Sequence, residues 1–236
     1  MMTTLSFATS KGGAGKTTSA IILGTTLARK GHLVTLIDAD PAARLMEWHK
    51  KTLDSSVTLK NLTVLASEGE STIADEIEWA NSKSDFVLID LEGAATMTNS
   101  VVMAESDLVL LVMGDEQQDA QAVIETVDQI GLLARMARRE ISFRVLFART
   151  EAGRKNRLAQ SLNEQVRRNI GSFSTELTKR MAYSALHADG GDLYHLDPKE
   201  TYGVTRAIEN AELLEEELQC FLELLRPITK KEKHHG

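Results

Sequence analysis

The chain has 236 residues, of which 42% are hydrophobic and 26% are charged, and its net charge is −7. This is the composition of an ordinary globular protein that buries a core without disulfide staples, and the single cysteine, Cys220, excludes an internal disulfide. No apolar run approaches the roughly 20 residues that span a bilayer, and the first residues lack a signal-peptide pattern. We therefore expect a cytoplasmic protein, with Cys220 as a small buried residue on a C-terminal helix.

Apolar strands and amphipathic helices alternate along the chain. Strands are predicted at 4–10, 32–38, 62–66, 86–90, 107–113 and 142–149, and helices at 16–31, 41–51, 118–139, 154–170 and 206–225. This alternation indicates an α/β fold with a doubly wound, mostly parallel sheet and helices on both faces. Ligands of such sheets bind at the carboxyl ends of the strands.

A glycine-rich turn separates the first strand from the first helix, and this is the context of a phosphate-binding loop. Glycines let backbone N–H groups approach phosphates closely, and the helix N-terminus adds a partial positive charge. Lys16 is predicted to bind the β- and γ-phosphates of a nucleotide and the Thr17 hydroxyl to bind Mg²⁺. Ser10 stands where the usual pattern begins with glycine, and a second lysine, Lys11, follows it. The predicted nucleotide-binding residues are Lys11, Gly12, Gly13, Ala14, Gly15, Lys16, Thr17 and Thr18.

Carboxylates follow two of the other strands. Asp38 and Asp40 lie two residues apart, so both can face the carboxyl edge once the chain turns. One of them would orient an attacking water and the other would hold a metal-bound water, although an N-cap before Pro41 is the structural alternative. Asp90 ends the strand 86–90 at the position of a Walker B carboxylate, which meets Mg²⁺ through water.

The segment Lys11–Thr17 matches the deviant Walker A loop, KGGxGK[S/T], and here the sequence resembles the ParA/MinD family of ATPases. The resemblance implies an ATP-dependent homodimer in which Lys11 contacts the nucleotide of the partner. It also implies catalytic roles for Lys11, Lys16, Asp38 and Asp40. The implied cofactors are ATP or ADP and Mg²⁺, with Thr17, Asp38 and Asp90 at the metal. The motif Asp-Leu-Glu-Gly at 90–93 resembles the VirC branch of small ParA-like proteins, and Ala42 replaces the usual glutamine of the family.

The positive charge is concentrated in one region. Residues 133–181 hold twelve Lys and Arg against four Asp and Glu, whereas the rest of the chain holds 15 against 30. A solvated helix face would explain this pattern, but the family binds DNA non-specifically from its C-terminal half. We therefore predict contacts with DNA phosphates rather than bases. The predicted DNA-binding residues are Arg154, Arg157, Arg167 and Arg168.

The resemblance implies an ATPase switch in plasmid or chromosome partition, or in conjugative DNA transfer. Residues 1–228 are predicted to form one P-loop domain and 229–236 a disordered polar tail. The expected partners are a second copy of the chain, non-specific DNA and a ParB-like or other adaptor protein, which would associate the protein with the nucleoid. One alternative is a MinD-like membrane-associated ATPase, but the last helix has an acidic polar face, so stable membrane binding is not expected. The other alternative is a metabolic P-loop enzyme of the dethiobiotin-synthetase type.

Overall fold

The computed structural model describes residues 2–151 and 157–225, apart from the side chains at 157–159 and 162. Its core is a seven-stranded parallel sheet with the order β3-β2-β4-β1-β5-β6-β7. The first strand along the chain is therefore central, and the loop that follows it opens at the middle of the carboxyl edge. The strands are β1 (Thr3–Ala8), β2 (Val34–Ala39), β3 (Leu62–Ala66), β4 (Phe86–Leu91), β5 (Leu108–Met113), β6 (Phe143–Thr150) and β7 (Leu177–Thr178).

Helices cover both faces of the sheet, as the sequence predicts. They are α1 (Lys16–Arg29), α2 (Arg44–Asp54), α3 (Ile73–Asn81), α4 (Met97–Glu105), α5 (Gln117–Ala137), α6 (Arg157–Asn169), α7 (Met181–Asp189) and α8 (Val204–Leu225), with a short 3₁₀ turn at Leu193–His195. One hydrophobic cluster packs α1, α2, α7 and α8 on one face, and a second packs α3, α4, α5 and α6 on the other. The strands are buried between the two clusters, which explains their continuous apolar sequences.

The predicted helix at 41–51 begins three residues later, at Arg44. Asp40 causes the delay, because its carboxylate accepts a hydrogen bond from the Ala42 backbone and its carbonyl accepts one from Ala43. Ala43 then takes a left-handed conformation, with φ of 52°, before the helix starts. The side chain of Asp40 therefore organises a turn, and this turn keeps Asp40 at the carboxyl edge of the sheet.

The sequence patterns do not predict four elements: α3, α4, α7 and the two-residue strand β7. The helix α4 contains Thr, Asn and Val, which are weak helix formers, and it depends on a hydrogen bond from the Asn99 backbone to the Thr96 hydroxyl. Trp79 lies 48% exposed on α3. Trp48 is buried and donates to the Gly191 carbonyl.

The expectation for Cys220 is wrong, because its side chain is exposed on α8. Helix periodicity explains the error: the buried stripe of α8 passes through Leu214, Leu218 and Leu222, and Cys220 lies off that stripe. Within residues 2–151 and 157–225, no helix is long and apolar enough to cross a bilayer. The predicted tail and the boundary at 228/229 lie outside the described residues.

Candidate nucleotide-binding site

The glycine-rich loop joins β1 to α1 as the sequence predicts. Gly13 and Gly15 have φ of 81° and 104°, conformations that residues with a Cβ adopt at a cost. Gly15 is the N-cap of α1, and its carbonyl accepts a hydrogen bond from the Ser19 backbone at 2.9 Å. Ala14 is buried beneath the turn. The loop therefore presents its glycine backbone at the positive end of a long helix.

Thr17 and Asp90 form the buried centre of the site. The Thr17 hydroxyl donates to Asp90 Oδ2 at 2.6 Å, which ties the first turn of α1 to the end of β4. The other oxygen, Asp90 Oδ1, is buried and accepts no hydrogen bond from a described residue. A hydroxyl and a carboxylate are hard oxygen ligands of the kind that Mg²⁺ prefers. These two side chains therefore fit the metal position that the sequence predicts.

Burial controls the charge state of the site. Removal from water raises the pKa of Asp90 to about 7, although the hydrogen bond from Thr17 and the charge of Lys16 act in the opposite direction. Burial also lowers the pKa of Lys16, against the attraction of Asp90 and Asp40. A bound cation would favour the ionised form of Asp90, and a bound phosphate would favour the ionised form of Lys16. A metal–nucleotide complex would thus supply the opposite charge that the buried Asp90 carboxylate and the buried Lys16 ammonium each lack at close range among the described residues.

The two aspartates after β2 have different positions. Asp38 is buried, and its two oxygens accept hydrogen bonds from the backbones of Asp40, at 3.2 Å, and Met46, at 2.9 Å. Burial raises the pKa of Asp38 in spite of these bonds. Asp40 is half-buried and lines the cavity, whereas Asp38 lies beneath the turn that it holds. Among the described residues, no three or more His, Cys, Asp or Glu side chains form a group that could hold a metal ion.

Lys11 is bound within its own chain. Its ammonium lies 2.7 Å from Glu116 Oε2 and 2.8 Å from Asp119 Oδ1 at the N-terminus of α5. The side chains of Glu116 and Asp119 also cap each other's backbone as a capping box. The hydrogen bond with Asp119, and then that with Glu116, raises the pKa of Lys11. The lysine of the deviant motif therefore lies beside its own phosphate loop, held by two carboxylates.

The loop after β4 contacts the phosphate loop directly. A Cβ added at Gly93 would lie 2.6 Å from the Gly12 nitrogen and 2.8 Å from the Lys11 carbonyl carbon, so only glycine fits there. The buried Asn99 holds this loop by donating to the Glu92 and Ala94 carbonyls. Glu92 lines the cavity.

These elements enclose a cavity of about 1040 Å³ at the carboxyl edge. This volume is at the upper end of the range for small-molecule sites and is sufficient for a whole nucleotide rather than a single phosphate. The cavity extends from the glycine turn past Thr18 to the ends of β6 and β7 and to α2 and α7. The Thr18 hydroxyl lies 2.7 Å from His187 Nε2 on α7. The structure thus gathers Asp40 and most of the predicted loop residues around one cavity, whereas Lys11 and Ala14 do not line it and Asp90 lies behind Thr17, to which it is hydrogen-bonded.

The predicted DNA-binding arginines have different surroundings. Arg167 is half-buried, forms an ion pair with Glu176 and lies 4.0 Å above the Phe147 ring centroid. Arg168 is 77% exposed and pairs with Glu164 one helical turn away, at 3.2 Å. Arg154 lies outside the described residues, and Arg157 begins α6 without a described side chain. Arg168 therefore has the freer guanidinium of the two described ones.

Sequence reasoning missed Asn99, Glu116 and Asp119, and it missed Arg149, whose guanidinium donates to the Gly13 carbonyl of the phosphate loop. Glu116 and Arg149 are 105 and 136 positions away from the loop residues that they contact, Lys11 and Gly13, whereas Asn99 contacts Glu92 and Ala94 only 7 and 5 positions away. One signal was available: Arg149 lies at the predicted end of a strand, and parallel sheets bind ligands at such ends.

A glycine turn at a central strand, a buried lysine and a hydroxyl–carboxylate pair define a P-loop nucleotide-binding protein, and Lys11 places it in the deviant Walker A class. Comparison with known proteins gives the family. The family model described as VirC1 protein matches residues 2–225. The chain therefore belongs to the VirC1 family, within the ParA/MinD-type partition ATPases.

Two relatives and one solved structure illustrate the similarity. The chain is 33% identical to protein ParA of Rhizobium radiobacter over 206 residues, which cover 87% of this chain and 90% of that protein. It is 28% identical to protein virC1 of Rhizobium rhizogenes over 230 residues, 97% of this chain and 96% of that one. Its fold is similar to that of a Cyanothece McdA variant in complex with ATP, with a TM-score of 0.71, 18% identity and coverage of 92% and 96%.

In the absence of divalent cations, Asp90→Asn is expected to stabilise the protein above pH 7. Because the pKa of Asp90 rises from 3.8 to about 7 on folding, the folded chain retains a proton that the unfolded chain has released between these values. The free energy of unfolding of the wild type therefore falls as pH rises through this window. Thermal unfolding in EDTA should give a higher Tm for Asp90→Asn at pH 8, with a smaller difference at pH 5. A Tm difference that does not change with pH would contradict the raised pKa of Asp90.

Proposed function

We propose that this chain is a Mg²⁺-dependent ATPase whose nucleotide state switches a homodimer on and off in DNA partition or conjugative DNA transfer. The observation that carries the proposal is the buried group of Lys16, Thr17 and Asp90 below an open glycine turn. Asp90 Oδ1 has no hydrogen bond from a described residue, and a metal–nucleotide complex would compensate the buried charges. The names of the relatives, ParA and virC1, support the choice of process.

Different residues of the chain would bind different parts of the metal–nucleotide complex. The backbone N–H groups of the loop and the N-terminus of α1 would bind phosphate oxygens, and Lys16 would neutralise part of their charge. Thr17 and Asp90 would hold Mg²⁺, and Asp38 would support the turn between β2 and α2 beside it. Bound Mg²⁺ would supply charge neutralisation and orientation of the phosphates.

Asp40 is the proposed water-positioning residue. Its Oδ1 accepts the Ala42 backbone N–H at 2.9 Å, which fixes the carboxylate at the wall of the cavity. Its Oδ2 accepts no hydrogen bond from a described residue, so this oxygen is available to accept a proton from water. Asparagine at this position would keep the turn hydrogen bond through its carbonyl oxygen but would lack a basic oxygen.

Asp40→Asn is expected to bind ATP with nearly the wild-type affinity and to hydrolyse it about 100-fold more slowly, because loss of a positioned base slows chemistry more than binding. Phosphate release under saturating ATP and calorimetric titration with a non-hydrolysable analogue would separate the two effects. Asp54→Asn, which makes the same change at an exposed carboxylate at the end of α2 and away from the cavity, is the control for turnover. A wild-type rate of ATP hydrolysis in Asp40→Asn would show that Asp40 only organises the turn before α2.

The proposed dimer depends on Lys11. In trans, its ammonium would approach the phosphates of the partner's nucleotide and would have to leave Glu116 and Asp119. The side chain of Lys11 is 30% exposed and Glu116 is 73% exposed, so this ion pair is at the surface and readily exchanged. A charge delivered in trans at the phosphates would act as an arginine finger does.

Lys11→Ala is expected to bind ADP like the wild type and to fail to dimerise with ATP and Mg²⁺, since it loses the ammonium that would reach the partner's nucleotide, along with its ion pairs to Glu116 and Asp119. Light scattering with each nucleotide provides the measurement. Glu116→Gln is the matched control, because it keeps Lys11 but removes one cis partner; it should dimerise at the same or lower protein concentration. An ATP-dependent dimer of Lys11→Ala would exclude the role in trans.

We also propose that the ATP-bound dimer binds DNA non-specifically and recruits a ParB-like or other adaptor, which would associate it with the nucleoid. The support is the excess of basic residues at 133–181 and the exposed guanidinium of Arg168 on α6. A dimer would place two such surfaces together, and phosphate contacts would provide affinity without base reading. Arg154 and Arg157 remain candidates from the sequence, and the contacts of Arg167 with Glu176 and Phe147 favour a structural role.

Arg168→Ala is expected to weaken ATP-dependent binding to two unrelated duplexes equally and to lower the log–log salt slope by about one, because one fewer counterion is released. Fluorescence anisotropy across a salt titration would measure both quantities. Lys83→Ala, which removes an exposed cation before β4, should leave the slope unchanged. An unaltered slope in Arg168→Ala would move the DNA-binding surface away from this part of α6.

A further inference from the structure

Arg149 has an unusual backbone conformation. Its φ is 57°, in the left-handed region that residues with a Cβ seldom adopt. The pairing of β6 with β7 passes from Ala148 opposite Leu177 to Thr150 opposite Thr178, so Arg149 is the additional residue of an irregular step. Such irregular steps redirect a side chain at the end of a strand and are common next to functional sites.

The redirected side chain lies over the phosphate loop. Arg149 Nη1 donates to the Gly13 carbonyl, and a Cβ added at Gly15 would lie 3.2 Å from Arg149 Cγ. Arg149 also lines the same cavity as Lys16 and Thr17. The loop is thus held between two segments: Gly93 packs on Lys11 and Gly12 from the β4 side, and Arg149 packs on Gly13 and Gly15 from the β6 side.

Most of the hydrogen-bonding capacity of Arg149 is unused. A guanidinium has five N–H donors, and the contact with Gly13 uses one of them. Within residues 2–151 and 157–225, no carboxylate forms an ion pair with Arg149, and the side chain is exposed at the cavity. Lys11, by contrast, is neutralised by two carboxylates, and Lys16 is buried. Arg149 is therefore an exposed cation beside the glycine turn that has no direct ion pair among the described residues and interacts with Glu116 only at longer range.

We propose that Arg149 binds the diphosphate group of the nucleotide in its own chain, on the side of the loop opposite Asp90. A planar guanidinium suits this task, because it can bind two phosphate oxygens at once while it keeps its hydrogen bond to the loop. The position on the β6 side predicts contact with phosphates that ADP and ATP share, since the Thr17–Asp90 pair occupies the β4 side. This inference rests on the proposed nucleotide-binding function.

The test compares substitutions that separate charge from tethering. Arg149→Gln keeps an N–H donor for the Gly13 carbonyl but has no charge, and Arg149→Lys keeps the charge but not the bidentate fork. Calorimetric titration with Mg–ADP and Mg–ATP should show affinities at least tenfold weaker for Arg149→Gln, with a smaller loss for Arg149→Lys. The Tm of the nucleotide-free protein should stay close to the wild-type value in both variants.

Two outcomes would overturn the proposal. One is an unchanged ADP affinity in Arg149→Gln, and the other is an equal loss in the Gln and Lys variants together with a lowered nucleotide-free Tm, which would make Arg149 a tether of the loop. If Arg149→Gln folds poorly, Arg149→Asn is the replacement, because asparagine also has an uncharged amide N–H donor and tolerates a φ of 57° better than most residues with a Cβ. Lys16→Ala, which should abolish nucleotide binding, is the reference for loss of the site. If the wild type binds neither nucleotide, the proposed function is refuted. If the wild type binds both and the Arg149 variants bind equally well, only this inference is refuted.

Discussion

The buried hydrogen bond between Thr17 and Asp90 is the contact on which the site depends. It joins the first turn of α1 to the end of β4, the strand beside β1, and it places a carboxylate where water does not reach. An ionised carboxylate in such a place is costly without a cation, and this cost is the reason that burial raises the pKa of Asp90. Lys16 lies next to this pair, and its charge lowers the pKa of Asp90 in opposition to burial.

The parts of the site that are local in sequence were predictable. The glycine turn, Lys16 and Thr17 follow one strand, and Asp40 and Asp90 each end another, so strand pattern and motif together place them at the carboxyl edge. The non-local partners were not predictable. Lys11 meets Glu116 and Asp119 only because β5 pairs with β1, and Arg149 reaches Gly13 only because β6 follows β5 in the sheet. Strand order, which single-sequence periodicity does not give, decides these contacts.

Charge counted along the chain differs from charge available at the surface. The region 133–181 has a large basic excess in sequence, yet Arg167 is paired with Glu176 and lies on an aromatic ring. Arg168 and Arg149 carry the same formal charge as Arg167, but most of their guanidinium N–H groups have no partner among the described residues. A prediction made from composition alone therefore could not rank the arginines of this region, because ranking requires the partners that folding brings to each guanidinium.

The contact of Gly93 with Lys11 and Gly12 has a mechanical consequence. A contact between side chains can adapt to motion by a change of rotamer. Here the backbone of Gly93 lies against the backbone of Lys11 and Gly12, so no side chain lies between the two loops. A displacement of the loop after β4 would therefore also displace the start of the phosphate loop. The close packing of Gly93 on Lys11 and Gly12 therefore couples the position of the loop after β4 to the start of the phosphate loop.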